Sequence, residues 1–475
     1  MTREQERFLQ FVTRHPHDHT AFFKRPDWSR RHFFRMLGGA VTGSALMARP
    51  ALAGESTVAA NVTPLNKAKN VILITLDGAP SHIDTFDFKM VAGVTPDSLA
   101  PEKINGLDWP RGLLPKLATN LQNNDFAIVR SVRAWALVHS LARTWVQVGR
   151  NPAGALGDIA PNIGSVVAIE KDPERRTGQV FPTFLALNAN QAAGSGYLPA
   201  TFAPFKFTPA ARGSTTGIPN TTTSAGSAGA EDRWNLLHTL DNPLRGVNNV
   251  SGSPLGRIAE DYEHFYQSAK GMMYNPVVDA AFRASTADAA RYGNTGFGAS
   301  CLVAKQVLAA NQGTRFIQVS LGGWDMHNNI YAANQLSARA ADLDNGLSAL
   351  LGDLKSSGLI AETLIVMMGE FGRTVGRLSA AQGRDHFLQQ FVMFAGAGVK
   401  GGRAIGATTA DGSATAAPGW SRNRDVRPED VEATIYSAMG INWTTVRRDD
   451  PTGRGFELVP FSGQDLYGPI NELWA

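Results

Sequence analysis

Six side chains that can bind a metal ion follow the ends of predicted strands in this 475-residue chain. They are carboxylates and imidazoles: Asp77, Asp325, His327, Glu370, Asp385 and His386. The carboxyl ends of parallel strands meet at one edge of a sheet, so such a topology would bring these donors together. Mixed sets of Asp, Glu and His suit Zn²⁺, Mn²⁺ or Mg²⁺, whereas Ca²⁺ prefers the oxygen donors alone. The pattern predicts a site for one or two divalent ions, with Asp385 as a ligand or as a partner that holds an imidazole.

The first of these segments has the clearest strand pattern. Residues 71–75 are apolar or β-branched and precede Asp77 and a glycine, as expected for a strand buried on both faces of a parallel sheet. The loop that follows adds His82 and Asp84, which we expect to be ligands or neighbours of the ligands. An Asx-type turn after a core strand is the alternative interpretation of this segment.

Strand and helix patterns alternate along most of the chain. Strands are predicted at 71–75, 126–129, 181–187, 315–320, 363–368 and 391–395, with a hairpin-like segment at 403–408. Helices are predicted at 109–121, in a stretch ending at Gly149, and at 160–170, 341–354 and 428–439. The first helix and the strands on either side of it are predicted to form a βαβ unit. The alternation predicts a doubly wound α/β fold, with a mostly parallel sheet flanked by helices.

The middle of the chain departs from this pattern. Residues 188–253 are rich in Gly, Ser and Thr and are predicted to be a surface insertion or lid. Residues 256–310 have helical patterns and are expected to cover one face of the sheet. We therefore predict one domain over residues 54–475.

The first 53 residues have the pattern of an export signal. Residues 29–35 read SRRHFFR, a twin-arginine consensus, and follow a long polar extension. A weakly apolar stretch at 36–47 leads to an A-x-A cleavage site at 51–53. The stretch is too short and glycine-rich for a stable membrane span, which needs ~20 strongly apolar residues. The expected partner is the twin-arginine translocation machinery, and the expected location is periplasmic or extracellular.

Charge and cysteine content exclude two classes of protein. The leader carries nine Lys/Arg and four Asp/Glu, which leaves 36 basic and 37 acidic residues in the predicted mature chain. A net charge near −1 does not favour nucleic-acid binding. The single cysteine, Cys301, excludes an intramolecular disulfide framework.

Several motifs together resemble a known bacterial family, the one labelled domain of unknown function 1501. In chain order they are LDGAPSHIDTFD, H-S-x-A-R-x-x-x-x-x-G, LGGWDMHNN, GEFGRT, GRDHF and GGRAIGATT. That family resembles the alkaline phosphatase and sulfatase superfamily, which implies an alkaline-phosphatase-like core for phosphoryl or sulfuryl ester chemistry. The metal-binding Asp after the first strand of the superfamily corresponds to Asp77, and a later carboxylate corresponds to Glu370. Phe371 stands where a His or Asn ligand is common.

The resemblance also implies a position for the nucleophile. Counting back from Gly149, that position holds His139, with Arg143 as the arginine expected to bind an ester oxygen. Because no cysteine stands there and Cys301 lacks the surrounding motif, a formylglycine sulfatase is excluded. Ser140, one position out of register, is the alternative nucleophile.

His139 would then have two chemical uses. It could attack phosphorus, or act as general acid or base toward a metal-activated water, and we favour the second use. A histidine that only caps the helix or packs beneath the sheet is the third interpretation.

Two functions are consistent with these features. The first is an exported metal-dependent hydrolase of small phosphate or sulfate esters, in which His139 acts as acid or base. The alternative is a non-catalytic exported protein that keeps the superfamily fold and binds a metal or another ligand. The carboxylate and histidine set favours the hydrolase, whereas the missing nucleophile and Phe371 favour the binding protein.

The export signal is directly testable. Replacing Arg30 and Arg31 by Lys should leave full-length precursor in the cytoplasm, because the receptor recognises these side chains rather than their charge. Cell fractionation and N-terminal sequencing measure the result, with Lys at Arg3 and Arg7 as the matched control. Mature protein beginning at Gly54 in the periplasm of the Arg30/Arg31 variant would contradict the prediction.

Overall fold

The computed structural model describes residues 57–58, 60–209, 226–245 and 257–475. The predicted leader at 1–53 lies outside these ranges, as do residues 210–225 and 246–253 of the predicted insertion. Among the described residues, no helix is long and apolar enough to cross a membrane.

An eight-stranded sheet forms the centre of the molecule. In chain order its strands are β1 (Asn70–Leu76), β2 (Phe126–Arg133), β3 (Phe184–Leu187), β4 (Phe205–Phe207), β5 (Phe316–Ser320), β6 (Thr363–Gly369), β7 (Gln389–Ala395) and β8 (Arg403–Ile405). Across the sheet the order is β8-β2-β7-β6-β1-β5-β3-β4. Every neighbouring pair is parallel except those of β7, which runs antiparallel to β2 and β6.

Helices cover both faces of this sheet. The α-helices of the described residues are α1 (Pro115–Gln122), α2 (His139–Val148), α3 (Ile163–Lys171), α4 (Gly226–Arg245), α5 (Arg257–Met272), α6 (Pro276–Phe282), α7 (Thr286–Arg291), α8 (Gly296–Ala310), α9 (Leu336–Ser356) and α10 (Pro428–Ala438). Alternate residues of β1 point to opposite faces. Ile72 and Ile74 join a core with α1, α8 and α9, whereas Val71 and Leu73 join a core with α3 and α10. This confirms the predicted doubly wound α/β fold.

Shorter strands lie outside the central sheet. Pro101–Ile104 pairs with Leu107–Pro110, Gly372–Arg373 with His386–Phe387, and Ala407–Thr408 with Thr415–Ala417. A three-stranded sheet is formed by Thr57–Val58, Thr445–Arg447 and Phe456–Glu457.

Two sequence-based expectations differ from the structure. The helix expected at 109–121 begins only at Pro115, because Trp109 belongs to a hairpin strand and proline favours the first turn of a helix. The strands β1 and β2 are parallel but are separated by β6 and β7, so they form no direct pair. Within the predicted insertion, β4 extends the central sheet at its edge.

The register of the central strands places the candidate ligands. Leu76 of β1 pairs with Gly369 of β6, so Asp77 and Glu370 leave the sheet at the same level. Thr75 of β1 pairs with Ser320, the last residue of β5. The loops after β1, β5 and β6 therefore start side by side, as expected for a site at the carboxyl edge of a parallel sheet.

Candidate metal centre

Four side chains converge at this edge of the sheet. His139, Asp325, His327 and His386 each offer one ligand atom, and these atoms lie within 4.8 Å of one another. Asp325 Oδ1 is the focus of the group: it lies 3.2 Å from His139 Nε2, 2.9 Å from His327 Nε2 and 3.6 Å from His386 Nε2. The group thus presents three imidazole nitrogens around one carboxylate oxygen.

The other nitrogen of each imidazole binds an acceptor outside the group. His327 Nδ1 lies 2.7 Å from Asp385 Oδ1, and His386 Nδ1 lies 2.7 Å from the carbonyl oxygen of Leu137. His139 Nδ1 hydrogen-bonds to Glu370 Oε2. Because each acceptor requires a proton on Nδ1, each neutral ring directs an Nε2 lone pair inward. Metal-binding histidines are held in the same way by an acceptor on their second nitrogen.

These residues fit a divalent cation. His139 Nε2 is buried and has no hydrogen-bond partner among the described residues. His327 Nε2 and His386 Nε2 lie only 3.0 Å apart, although the outer contacts leave both with lone pairs. A cation among the four donors would satisfy all of these atoms, and a set of imidazoles with a carboxylate is typical of zinc and related metals.

A buried arginine braces the group from beneath. The Arg373 side chain is only 1% exposed; its Nη2 donates to Asp325 Oδ1 at 2.6 Å, and its Nη1 lies 3.2 Å from His327 Nε2. It also donates to the carbonyl oxygens of Gly78, Ala79 and Arg384. Partial burial alone would raise the pKa of Asp325, but the hydrogen bond and charge of Arg373, with the neighbouring histidines, hold it at about 2. Asp325 is therefore a carboxylate near neutral pH.

Two of the ligands expected from the sequence, Asp77 and Glu370, lie beside this group rather than within it. Glu370 holds His139 Nδ1, accepts a hydrogen bond from Gly78 N and lies 3.9 Å from Arg143 Nη1. Asp77 Oδ1 is buried and has no hydrogen-bond partner in the described structure. Burial, and then the charge of Glu370, raise the pKa of Asp77 to about 6. Asp77 can therefore gain or lose a proton near neutral pH.

The predicted residues of the first loop brace the structure instead. Asp84 is fully buried and accepts from Arg384 Nε at 2.7 Å, Ser81 Oγ at 2.6 Å and the Tyr331 hydroxyl at 2.7 Å. His82 is also buried, with Nε2 2.9 Å from the carbonyl oxygen of Gly412. Because Arg384 directly precedes Asp385 and His386, its ion pair with Asp84 fixes the loop that carries them.

Helix α2 places the remaining predicted residues. His139 is its first residue and Arg143 lies one turn further on, so both side chains lie on the same side of the helix. Gly149 ends the helix with a φ of +60°, a conformation that favours glycine. Ser140 is exposed and, unlike His139 and Arg143, does not line the adjoining cavity.

The ring of Phe371 packs against two of the histidines. Its ring centroid lies 4.8 Å from that of His139 and 4.6 Å from that of His386. Where the superfamily resemblance implies a ligand, this chain thus has an apolar wall against two imidazoles.

Arg373 and Arg384 were not expected from the sequence. Both lie inside motifs that were noted for their acidic and histidine residues, GEFGRT and GRDHF. An arginine close in sequence to carboxylates is the pattern that would have indicated a guanidinium holding those loops in place.

An open cavity of about 400 Å³ adjoins the four donors. Its ionisable lining residues are Asp77, His139, Arg143, Asp325 and Glu370. The rest of its lining is neutral and consists of Gly78, Asn188, Asn190, Gln191, Ser320, Gly322 and Gly323. A ligand in this cavity would therefore contact the exposed side of the metal-binding group.

Fold and donor set together define a doubly wound α/β protein with a candidate metal centre at the carboxyl edge of its sheet. The model of the family described as "Protein of unknown function (DUF1501)" matches residues 68–466, and the chain belongs to this family. A comparison with curated proteins found no match.

Solved structures similar to this chain include members of the superfamily that the motifs resemble. The PsFucS1 sulfatase from Pseudoalteromonas sp. is 13% identical, with 88% of this chain and 74% of that chain covered and a TM-score of 0.37. The alkaline phosphatase from the Antarctic bacterium TAB5 is 15% identical, with 71% and 93% covered and a TM-score of 0.31. The C-terminal periplasmic domain of EcEptC from Escherichia coli, in complex with Zn, is 11% identical, with 87% and 90% covered and a TM-score of 0.36. At these identities the likeness concerns the fold alone.

Metal content tests the four-member group. His139→Ala should lower the metal retained after dialysis at least about tenfold, and Asp385→Asn should weaken metal affinity by roughly 10–100-fold through His327. Elemental analysis measures both effects, and Ser140→Ala is the matched control because its side chain is exposed. Metal that is kept by His139→Ala but lost by Asp77→Ala would instead favour the ligand set predicted from the sequence.

The raised pKa of Asp77 predicts a pH-dependent effect on stability. A carboxyl whose pKa is raised from 3.8 to about 6 stabilises the fold below pH 3.8 and loses that contribution as pH rises through 6. In chelator-treated protein, Asp77→Asn should therefore raise the free energy of unfolding by about 1–3 kcal/mol near pH 7.5, and by almost nothing near pH 3.5. Urea unfolding at the two pH values measures this. A variant less stable than wild type near pH 7.5 would contradict it.

Proposed function

We propose that this chain is an exported metal-dependent hydrolase of phosphate or sulfate esters. The observation that carries the proposal is an open cavity lined by Arg143 and by two of the four donors, His139 and Asp325, with His327 and His386 completing the donor group. A divalent cation held by these donors would supply Lewis-acid stabilisation of the charge that develops on an ester oxygen.

Arg143 is the group that we assign to the ester oxygens. Its guanidinium can donate two parallel hydrogen bonds to a phosphate or sulfate group. Its Nη1 lies 3.9 Å from Glu370 Oε1, beyond hydrogen-bond distance, so donors remain for a substrate. The amino end of α2 has no side-chain cap, and its free N–H groups also favour an anion.

We assign His139 to metal binding rather than to acid or base catalysis. Its Nδ1 is engaged by Glu370 and its Nε2 faces Asp325, so neither nitrogen is free to transfer a proton to a substrate in the cavity. Asp77 is better suited to proton transfer. It lines the cavity, has an unpaired oxygen and has a pKa raised to about 6 by burial and by Glu370.

Water is the nucleophile that the cavity favours. Among the described residues that line it, Ser320 has the only hydroxyl group, and there is no thiol. Ser320 is 5% exposed, and its Oγ lies 2.6 Å from Thr75 Oγ1, so it is held within the sheet. Ser140, the alternative from the sequence, lies outside the lining.

The alternative is a non-catalytic exported protein that binds a metal or a small ligand at the same edge. The absence of a free hydroxyl among the described lining residues, and the apolar ring of Phe371 beside the histidines, favour this alternative. Metal binding alone does not separate the two functions, whereas turnover does.

Turnover of model esters tests the proposal. Purified protein loaded with Zn²⁺ or Mn²⁺ should hydrolyse at least one of an aryl phosphate, a phosphodiester and an aryl sulfate. Arg143→Gln should lower kcat/KM by about 10²-fold, the effect expected when one donor to a developing oxyanion is removed. Arg454→Gln, at an exposed arginine, is the matched control.

The choice of nucleophile can be measured in the same assay. Hydrolysis in water enriched in ¹⁸O, with methanol added as a competing acceptor, should give labelled inorganic product and no methyl ester beyond the solvent reaction. Loss of turnover in Ser140→Ala but not in Asp77→Asn would show a serine-type enzyme. Bound metal without turnover of any of the three esters would favour the non-catalytic alternative.

A further inference from the structure

The cavity beside the metal-binding group has two chemically different halves. The loops after β1, β5 and β6 and helix α2 contribute its ionisable residues. The loops after β3 and β5 contribute neutral ones: Asn188, Asn190, Gln191, Gly322 and Gly323. An ester placed with its anionic group toward Arg143 and the histidines would therefore place its alcohol portion against the neutral half.

This neutral half offers hydrogen-bonding side chains and no hydrophobic side chain. Among the described residues, no aliphatic or aromatic hydrophobic side chain lines the cavity, whereas ligand pockets are usually lined mainly by such side chains. Asn190 and Gln191 are exposed, and no hydrogen bond of either side-chain amide is found among the described residues. Each amide can both donate and accept, so each can pair with hydroxyl groups in either role.

The wall of this half is open at Gly322. A Cβ at Gly322 would meet nothing within 4 Å, so the wall at this position is bare backbone next to free space. Asn188 is fixed, because its Nδ2 donates to the carbonyl oxygen of Ser320 at 2.9 Å. One fixed amide, two exposed amides without a hydrogen bond among the described residues, and bare backbone suit a hydroxyl-rich ligand.

We infer that Asn190 and Gln191 bind the alcohol portion of the substrate and that this portion is polyhydroxylated, a sugar or a polyol rather than an aryl or lipid group. The inference deepens the proposed function and rests on it for the ester group. The binding of hydroxyl groups by the two amides does not depend on catalysis. An aryl or alkyl group would leave both amides without partners and would meet no hydrophobic side chain in the lining.

A binding experiment tests the amide wall, which we define as the side chains of Asn190 and Gln191, without the need for turnover. Saturation-transfer NMR with metal-free protein uses methyl glucoside, myo-inositol and benzyl alcohol as probes. We expect transfer to at least one of the two polyols and none to benzyl alcohol. The Asn190→Ala/Gln191→Ala variant should lose this transfer, whereas Gln122→Ala, at an exposed amide on α1, should keep it. Thermal unfolding of the double variant shows whether its fold is intact.

An activity experiment then links the wall to the ester. The ratio of kcat/KM for glucose 6-phosphate or glucose 6-sulfate to that for the matching phenyl ester should exceed one. In the double variant this ratio should fall about tenfold or more, since sites built to bind a hydroxyl discriminate strongly. Transfer to benzyl alcohol alone, or polyol transfer unchanged in the double variant, would overturn the inference. Polyol binding that the variant loses, in a protein that hydrolyses no ester, would support the amide wall and reject the proposed hydrolase.

Discussion

The geometry of the site depends on the carboxylate of Asp325. One of its oxygens lies at the centre of three imidazole nitrogens and also accepts from Arg373. This oxygen and the inward lone pairs of the three imidazoles repel one another unless a cation lies among them, and two of those nitrogens, His327 Nε2 and His386 Nε2, lie only 3.0 Å apart. Arg373 keeps Asp325 ionised, and its other hydrogen bonds, to Gly78, Ala79 and Arg384, tie the loop after β1 to the loop that carries His386.

A second buried arginine gives these loops a fixed position. Arg384 and Asp84 are both fully buried; Ser81 Oγ donates to the same Asp84 oxygen as Arg384 Nε, and the Tyr331 hydroxyl donates to the other. Burying two charges costs solvation energy, so such a pair contributes little net stability compared with a well-packed apolar pair. Removal of one partner, however, leaves an uncompensated buried charge and costs roughly 3–5 kcal/mol. The pair therefore favours one arrangement of the two loops over alternatives. The outward hydrogen bonds of the histidines require this fixed arrangement.

Most of the sheet, and the edge at which the site lies, could be predicted from the sequence. Runs of buried β-branched residues identify β1, β5 and β6, and parallel strands bring the residues that follow them to one edge. The pattern could not show which of the gathered side chains face one another. Glu370 was expected to bind metal but lies behind His139. The direction of its side chain depends on the backbone conformation after Gly369, which residue spacing does not reveal. The acceptor for His386 is the backbone oxygen of Leu137, and a backbone acceptor leaves no pattern in side-chain identity. Burial of Arg373 and Arg384 likewise became visible only with the tertiary contacts of both loops.

The charges at the site favour one divalent ion over two. Four carboxylates, those of Asp77, Asp325, Glu370 and Asp385, lie in or against the metal-binding group and its cavity. Two guanidinium groups, those of Arg143 and Arg373, accompany them. With neutral imidazoles, this leaves two negative charges, which a single divalent cation would balance. The same surplus of negative charge helps to raise the pKa of Asp77, because the charge of Glu370 acts on this buried carboxyl.

A second divalent ion would also need ligands where Phe371 instead presents a ring to His139 and His386. The two arginines thus supply positive charge that a second ion would otherwise supply. This charge balance is consistent with the proposed site for one metal ion, with one anionic group in the cavity and the rest of the ligand against its neutral half.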